Sequence, residues 1–146
     1  MLKMDIPIEI YDQILHQART EAPVEACGIL AGIDGTVRKL YKMTNVDQSR
    51  THCMMDPAEQ FEAARDIRAA GLKMLAIYHS HPATPARLSA EDIRLALTPD
   101  VVYVIISLQD SISPLIKGFV VETGKATEVP VRIVEGTKWA GQKSRS

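Results

Sequence analysis

Apolar positions along this chain alternate between helical spacing and short strand-like runs. After Pro7, Ile8, Tyr11, Leu15 and Ala18 recur at helical intervals and predict a first helix that ends before Pro23. Pro23 to Gly32 is apolar apart from one acid, Glu25, near its start. Asp34-Gly35 follows as a hairpin signal, with Thr36 to Met43 as the partner strand. Asn45 to Thr51 is polar and reads as a loop. Asp56-Pro57-Ala58-Glu59 supplies an N-cap, a proline at the first helical position and an acid at the third. A second helix therefore starts there, with Ala58, Phe61, Ala64 and Ile67 as its expected inner stripe and Gly71 as its stop.

Met74 to Tyr78 is an apolar run of strand length. Ser89-Ala90-Glu91-Asp92 has the capping-box pattern of a third helix start, with Ile93, Leu95, Ala96 and Leu97 behind it. Val101 to Leu108 is almost continuously β-branched and predicts a central strand. Two further strands, Leu115 to Glu122 and Thr127 to Glu135, flank a tight turn at Thr123-Gly124-Lys125. The order α, β, β, α, β, α, β, β, β predicts an α/β fold of α+β-like character, a mixed sheet flanked by three helices.

Composition narrows the functional classes. A chain of 146 residues with 46% hydrophobic content predicts one globular domain. Net charge is −1 and no basic run interrupts the body, which argues against nucleic acid as a partner. Apolar runs are too short to span a membrane, and the N-terminus lacks the apolar core of a signal peptide. Cytoplasm is the default compartment, and two cysteines, Cys27 and Cys53, are too few for a disulfide framework. From Gly136 the chain turns polar. The expected domain is 1–136, with 137–146 a flexible tail whose Trp139 could dock on the body.

Candidate chemistry gathers at Tyr78-His79-Ser80-His81-Pro82. Side chains at i and i+2 of a strand share a face, so His79 and His81 point together while Ser80 points away. Pro82 then ends the ladder, having no N–H to donate. If the loop from Ala83 to Leu88 folds back, Asp92 in the first turn of the third helix meets both imidazoles. Two nitrogens and one carboxylate with a position left open is the catalytic zinc pattern. Such a site needs a base outside the ligand set, and Glu25 is the best candidate. Two imidazoles and a carboxylate also suit non-haem iron, although three helices fit poorly with the barrel frame those sites use. Cys27 could act as a nucleophile with His79 as its base, but a cysteine in an apolar strand usually behaves as a small hydrophobe.

Pro23-Val24-Glu25-Ala26-Cys27-Gly28-Ile29-Leu30, with His79-Ser80-His81, Ser89 and Asp92, resembles the JAMM (MPN+) metalloprotease family. That family's pattern is a Glu on an early strand, then His-x-His, seven residues, Ser, two residues and Asp. Residues 82–88 are the seven. The resemblance implies the JAMM/MPN architecture, which is cytidine-deaminase-like. It implies Zn²⁺ on His79, His81 and Asp92, Glu25 as general acid/base, and Ser89 as the group that stabilises the oxyanion. It also implies hydrolysis of a peptide or isopeptide bond after the C-terminal Gly-Gly of a ubiquitin-like protein. The short chain points to a small sulfur carrier as that partner, and homodimer formation is compatible with the resemblance. The alternative reading is a non-catalytic binding module for a ubiquitin-like protein.

Overall fold

The computed structural model describes residues 3–136; the expected tail and Trp139 lie outside the described residues. Among the described residues eight strands and three helices follow one another as β1 (Met4–Pro7), α1 (Ile8–Glu21), β2 (Cys27–Ile33), β3 (Thr36–Met43), α2 (Pro57–Ala69), β4 (Lys73–His81), α3 (Ala90–Leu95), β5 (Val102–Ser107), β6 (Leu115–Glu122), β7 (Lys125–Val129) and β8 (Val131–Val134). All eight strands join one mixed sheet in the order β7-β6-β5-β4-β2-β3-β1-β8. Two hairpins fall where turn chemistry placed them. Asp34 and Gly35, and then Thr123 and Gly124, all take positive φ, the backbone that two-residue turns between twisted strands require.

The ends of the chain depart from the sequence expectation. Met4–Pro7 is a strand ahead of the first helix, and Pro7 is that helix's N-cap residue. The expected strand Thr127–Glu135 is two strands divided at Pro130, which has no N–H for a continuous ladder. Of these two, β7 pairs with β6 at one edge of the sheet and β8 pairs with β1 at the other. Consecutive strands on opposite edges bring those edges together, so the sheet nearly closes. Gly118 in β6 marks the seam: a Cβ there would stand 2.6 Å from Val131 Cγ2 and 2.9 Å from Val102 Cγ1. Arg132 secures β8 to β1 through paired hydrogen bonds to Asp5 of 2.9 and 3.0 Å.

Helix α1 packs on one face of the sheet. Its Ile14 and Ala18 are buried, with Ile10, Tyr11 and Leu15 beside them, against Leu30, Val37, Ala76, Tyr78, Val104 and Ile106. The second helix presents Ala63 and Ile67 to the opposite face, and Phe61 is 64% exposed. The expected stripe of Ala58, Phe61, Ala64 and Ile67 fails for a geometric reason. Four positions spaced by three drift about 60° per step around a helix, half a turn in all. The third helix is short, ending at Leu95, with Leu95 and Leu97 facing outward while Ile93 and Ala96 pack inward. Among the described residues no helix is long and apolar enough to cross a membrane.

β4 lies between antiparallel β2 and parallel β5, and α3 is the crossover from β4 to β5. The C-terminal end of β4 and the N-terminus of α3 thus open on the same side. In α/β sheets this is where ligand crevices form.

Candidate functional site

Alternation along β4 sorts the central motif onto two faces. Tyr78 and Ser80 turn toward α1. Tyr78 lies over Gly28, and its hydroxyl donates to Gln17 Oε1 at 2.5 Å, so it is a core residue. His79 and His81 turn to the other face with their ring centroids 5.1 Å apart. The connection after Pro82 folds back over them. It is held by Ser107 Oγ donating to the Thr84 carbonyl at 2.6 Å and by burial of Ala86 and Leu88.

That fold-back delivers Asp92. Ser89 caps α3 with its Oγ accepting the Asp92 N–H at 3.0 Å, and Asp92 Oδ2 accepts the Ser89 N–H at 2.9 Å. The same carboxylate reaches both imidazoles: Oδ2 is 3.0 Å from His81 Nε2, and Oδ1 is 3.3 Å from His79 Nε2. Glu25 stands just ahead of β2, with Oε1 3.9 Å from His79 Nε2. All four side chains are buried. The structure thus brings together Glu25, His79, His81 and Asp92, with Ser89 exposed at their rim.

Charges in the cluster are strongly perturbed. Burial pushes the Glu25 carboxyl up to about 8; His81 opposes this, while Asp92 and Glu91 add to it. Burial also pushes Asp92 upward, but the two imidazoles and the Ser89 N–H outweigh it and hold the carboxyl well below the usual range. For His81, burial favours the neutral ring, yet Asp92 and the Pro85 carbonyl win and raise it. His81 Nδ1 lies 2.9 Å from the Pro85 carbonyl oxygen, which can only accept, so Nδ1 carries a hydrogen. In the neutral ring that leaves the Nε2 lone pair facing the cluster, the tautomer a metal needs.

Among the described residues two buried side-chain polar atoms have no hydrogen-bond partner: Glu25 Oε1 and His79 Nε2. They face each other, and neither position is one that a folded chain leaves unpaired without a reason. The donor set suits a divalent ion. Ligand atoms on a tetrahedral zinc at about 2.0–2.1 Å lie about 3.3 Å apart. Each imidazole has one oxygen of the Asp92 carboxylate near that separation, Oδ2 at 3.0 Å from His81 and Oδ1 at 3.3 Å from His79. A second set shares the same imidazoles, since Glu25, His79 and His81 offer ligand atoms within 4.8 Å of one another.

Hollows open on either side of the cluster. The larger, about 610 Å³, is lined by Glu25, Arg50, Thr51, Arg87 and Ser89 among others. The smaller, about 290 Å³, is mostly apolar, with Cys27, Cys53, Met54, Ile77 and Leu95 around His79 and Asp92. Cys27 is buried, and its thiol donates to the Met43 carbonyl at 3.9 Å, as befits a core residue rather than a nucleophile. His52 stands on the loop beside the site, 2.8 Å from Asp47 and 4.0 Å from Glu91.

Sequence reasoning missed two residues that frame the site. Asn45, taken as part of a polar loop, is buried, and its amide donates to the Glu25 and His52 carbonyls, each at 3.0 Å. Ser80 Oγ accepts the Ala26 N–H at 2.8 Å and ties the Glu25 segment to the histidine strand. Ser80 lay inside the motif and could have been suspected. Nothing in the pattern singled out Asn45.

Comparison with known proteins agrees with this arrangement. Residues 7–115 match the family described as prokaryotic homologs of the JAB domain. A CysO-cysteine peptidase of Mycobacterium tuberculosis is 36% identical over 132 residues, spanning 89% of this chain and 90% of that protein. A desampylase of Haloferax volcanii is 34% identical over 112 residues, spanning 72% of this chain and 81% of that protein. The solution structure of a Desulfitobacterium hafniense protein superposes with a TM-score of 0.85 at 41% identity, covering 92% of this chain and 95% of that one. With its fold, its motif spacing and three quarters of its length accounted for, the chain belongs to the family of prokaryotic JAB-domain homologues.

Proposed function

We propose that this protein is a zinc-dependent peptidase that hydrolyses the bond after the C-terminal Gly-Gly of a ubiquitin-like protein, a small sulfur carrier in particular. One observation carries the reading: both imidazole Nε2 atoms converge on the Asp92 carboxylate while the unpaired Oε1 of buried Glu25 faces the same point. His79, His81 and Asp92 would hold the ion. Glu25 stands a step further from His79, at 3.9 Å, where a side chain outside the ligand set belongs. When bound, zinc supplies Lewis acidity, polarising a carbonyl and easing the ionisation of water.

The chain's own groups do the rest. Burial pushes the Glu25 carboxyl up to about 8, and a cation held by His79, His81 and Asp92 would favour its ionised form. Glu25 then accepts a proton from the attacking water and returns it to the leaving amine. Ser89 Oγ uses a lone pair to cap α3, which leaves its hydrogen free to donate to the scissile carbonyl oxygen as charge builds there. The relatives named for cleavage of a CysO–cysteine bond and for desampylation support a carrier-type substrate.

The test is hydrolysis of a carrier–cysteine adduct, and of a carrier extended past Gly-Gly. Cleavage should stop on chelation and return with zinc. Absence of cleavage of either, or cleavage that ignores the chelator, removes the reading. Replacing Ser89 separates its two duties. Ser89→Ala should lower kcat by about 10²–10³-fold through loss of one oxyanion donor. The same change weakens the helix start by about 1 kcal/mol. Ser89→Thr keeps both the cap and the hydroxyl and should recover most of the activity; a threonine variant as slow as alanine would count against the donor role.

A further inference from the structure

Glu25 is held by an unusual set of bonds for so critical a side chain. It lies outside the β2 ladder, which begins at Cys27; the neighbouring Ala26 bonds to Ser80 of β4, but no strand pairs with the N–H or carbonyl of Glu25 itself. Instead its N–H donates to the Ser49 carbonyl at 2.9 Å, and its carbonyl accepts from Asn45 Nδ2 at 3.0 Å. Both partners belong to the polar segment after β3.

Asn45 is the hub of that segment. Its Nδ2 also donates to the His52 carbonyl at 3.0 Å, and its Oδ1 accepts the N–H groups of Met54 at 3.1 Å and Asp47 at 3.3 Å. The side chain is 3% exposed, and every hydrogen-bonding direction of its carboxamide is used inside the protein. None of these bonds goes to His79, His81 or Asp92. The amide therefore closes the segment that supplies Ser49 and at the same time grips the Glu25 backbone.

We propose that Asn45 is a positioning residue for Glu25, fixing through that backbone the place of the carboxylate beside His79. The proposal rests on Glu25 acting as the proton acceptor, as proposed above. Misplacement of a catalytic group by about 1 Å can lower a rate about 10²-fold, so a residue that never touches substrate can still control turnover.

The experiment uses the full chain and two variants. Asn45→Ala removes the whole hub. Asn45→Asp keeps the acceptor for Met54 and Asp47 and removes the amide donor to both Glu25 and His52. For both, zinc per protein should match the parent, and kcat on the carrier adduct should fall on the order of 100-fold with little change in KM. Amide hydrogen exchange in the chelated protein should quicken at Glu25 and Ala26. Val37→Ala, a core change in β3, serves as the stability control. At an equal loss of Tm it should leave kcat per bound zinc unchanged.

Three results would overturn the proposal: kcat per bound zinc near that of the parent in both variants, a kcat loss reproduced by Val37→Ala, or unchanged exchange at Glu25 and Ala26. If the parent cleaves none of the carrier substrates, it is the hydrolase reading that fails. The exchange measurement still decides whether Asn45 holds Glu25.

Discussion

Glu25→Gln should bind zinc as the parent does and lose turnover by up to about 10⁴-fold, the upper range for removing a general acid/base. The substitution preserves shape and volume in a site where Glu25 is 2% exposed, so little repacking is expected. An amide cannot take a proton from water at neutral pH, so the loss should fall on kcat, with KM nearly unchanged. The zinc measurement separates two arrangements that geometry leaves side by side. If His79, His81 and Asp92 are the ligands, zinc content and affinity survive the change. If Glu25 is a ligand in the alternative set with the same imidazoles, zinc is lost along with activity. Hydrolysis at the parental rate would remove Glu25 from the chemistry altogether.

Much of this site was legible because its pieces are local signals. A histidine pair at alternate strand positions, a proline that ends the strand and a capping box each leave a mark within a few residues. The convergence of Asp92 on both rings follows from the short connection after Pro82. Central strands were legible for a similar reason, since a strand buried on both faces, such as Val102–Ser107, reads as an unbroken apolar run. What could not be read was non-local. Met4–Pro7 is too short to show a period, and it is a strand only because β3 and β8 pair with it from distant parts of the chain. Pro130 gave a visible break, but not the news that the chain changes edges of the sheet there. Asn45 resembles any polar loop residue until the fold buries it beneath Glu25. The expected stripe of α2 failed because spacing by three alone does not describe a helix face.

The chelator-treated protein should lose stability as pH rises from about 4.5 to about 8, and Glu25→Gln should abolish most of that loss. In the unfolded chain Glu25 ionises near its usual value of 4.5; in the folded chain burial delays this to about 8. Across that window the folded state holds one proton more than the unfolded state. Stability then falls with pH, by at most about 1.4 kcal/mol per pH unit for one group. His81 acts in the same direction. Its folded pKa lies above the usual 6.5, so its contribution is present below that value and is lost as pH rises through the folded one. Asp92 acts in the opposite direction. Its carboxyl is depressed, so its contribution is present above about 3.8 and is lost as pH falls through the folded value. Taken by themselves, these three groups favour the folded state most near pH 4–5. A glutamine is the neutral mimic of protonated Glu25, so parent and variant should melt alike near pH 4.5. By pH 8 the variant should be more stable by a few kcal/mol, on the order of 10 °C in Tm. Zinc should reverse the trend in the parent. Its ligands must shed protons to bind it, so its stabilising effect grows with pH. Urea or thermal melts of both proteins, with chelator and with zinc, would measure each part. Superimposable melts of parent and variant from pH 4.5 to 8 would mean that Glu25 is not the buried, proton-holding carboxyl on which the catalytic assignment depends.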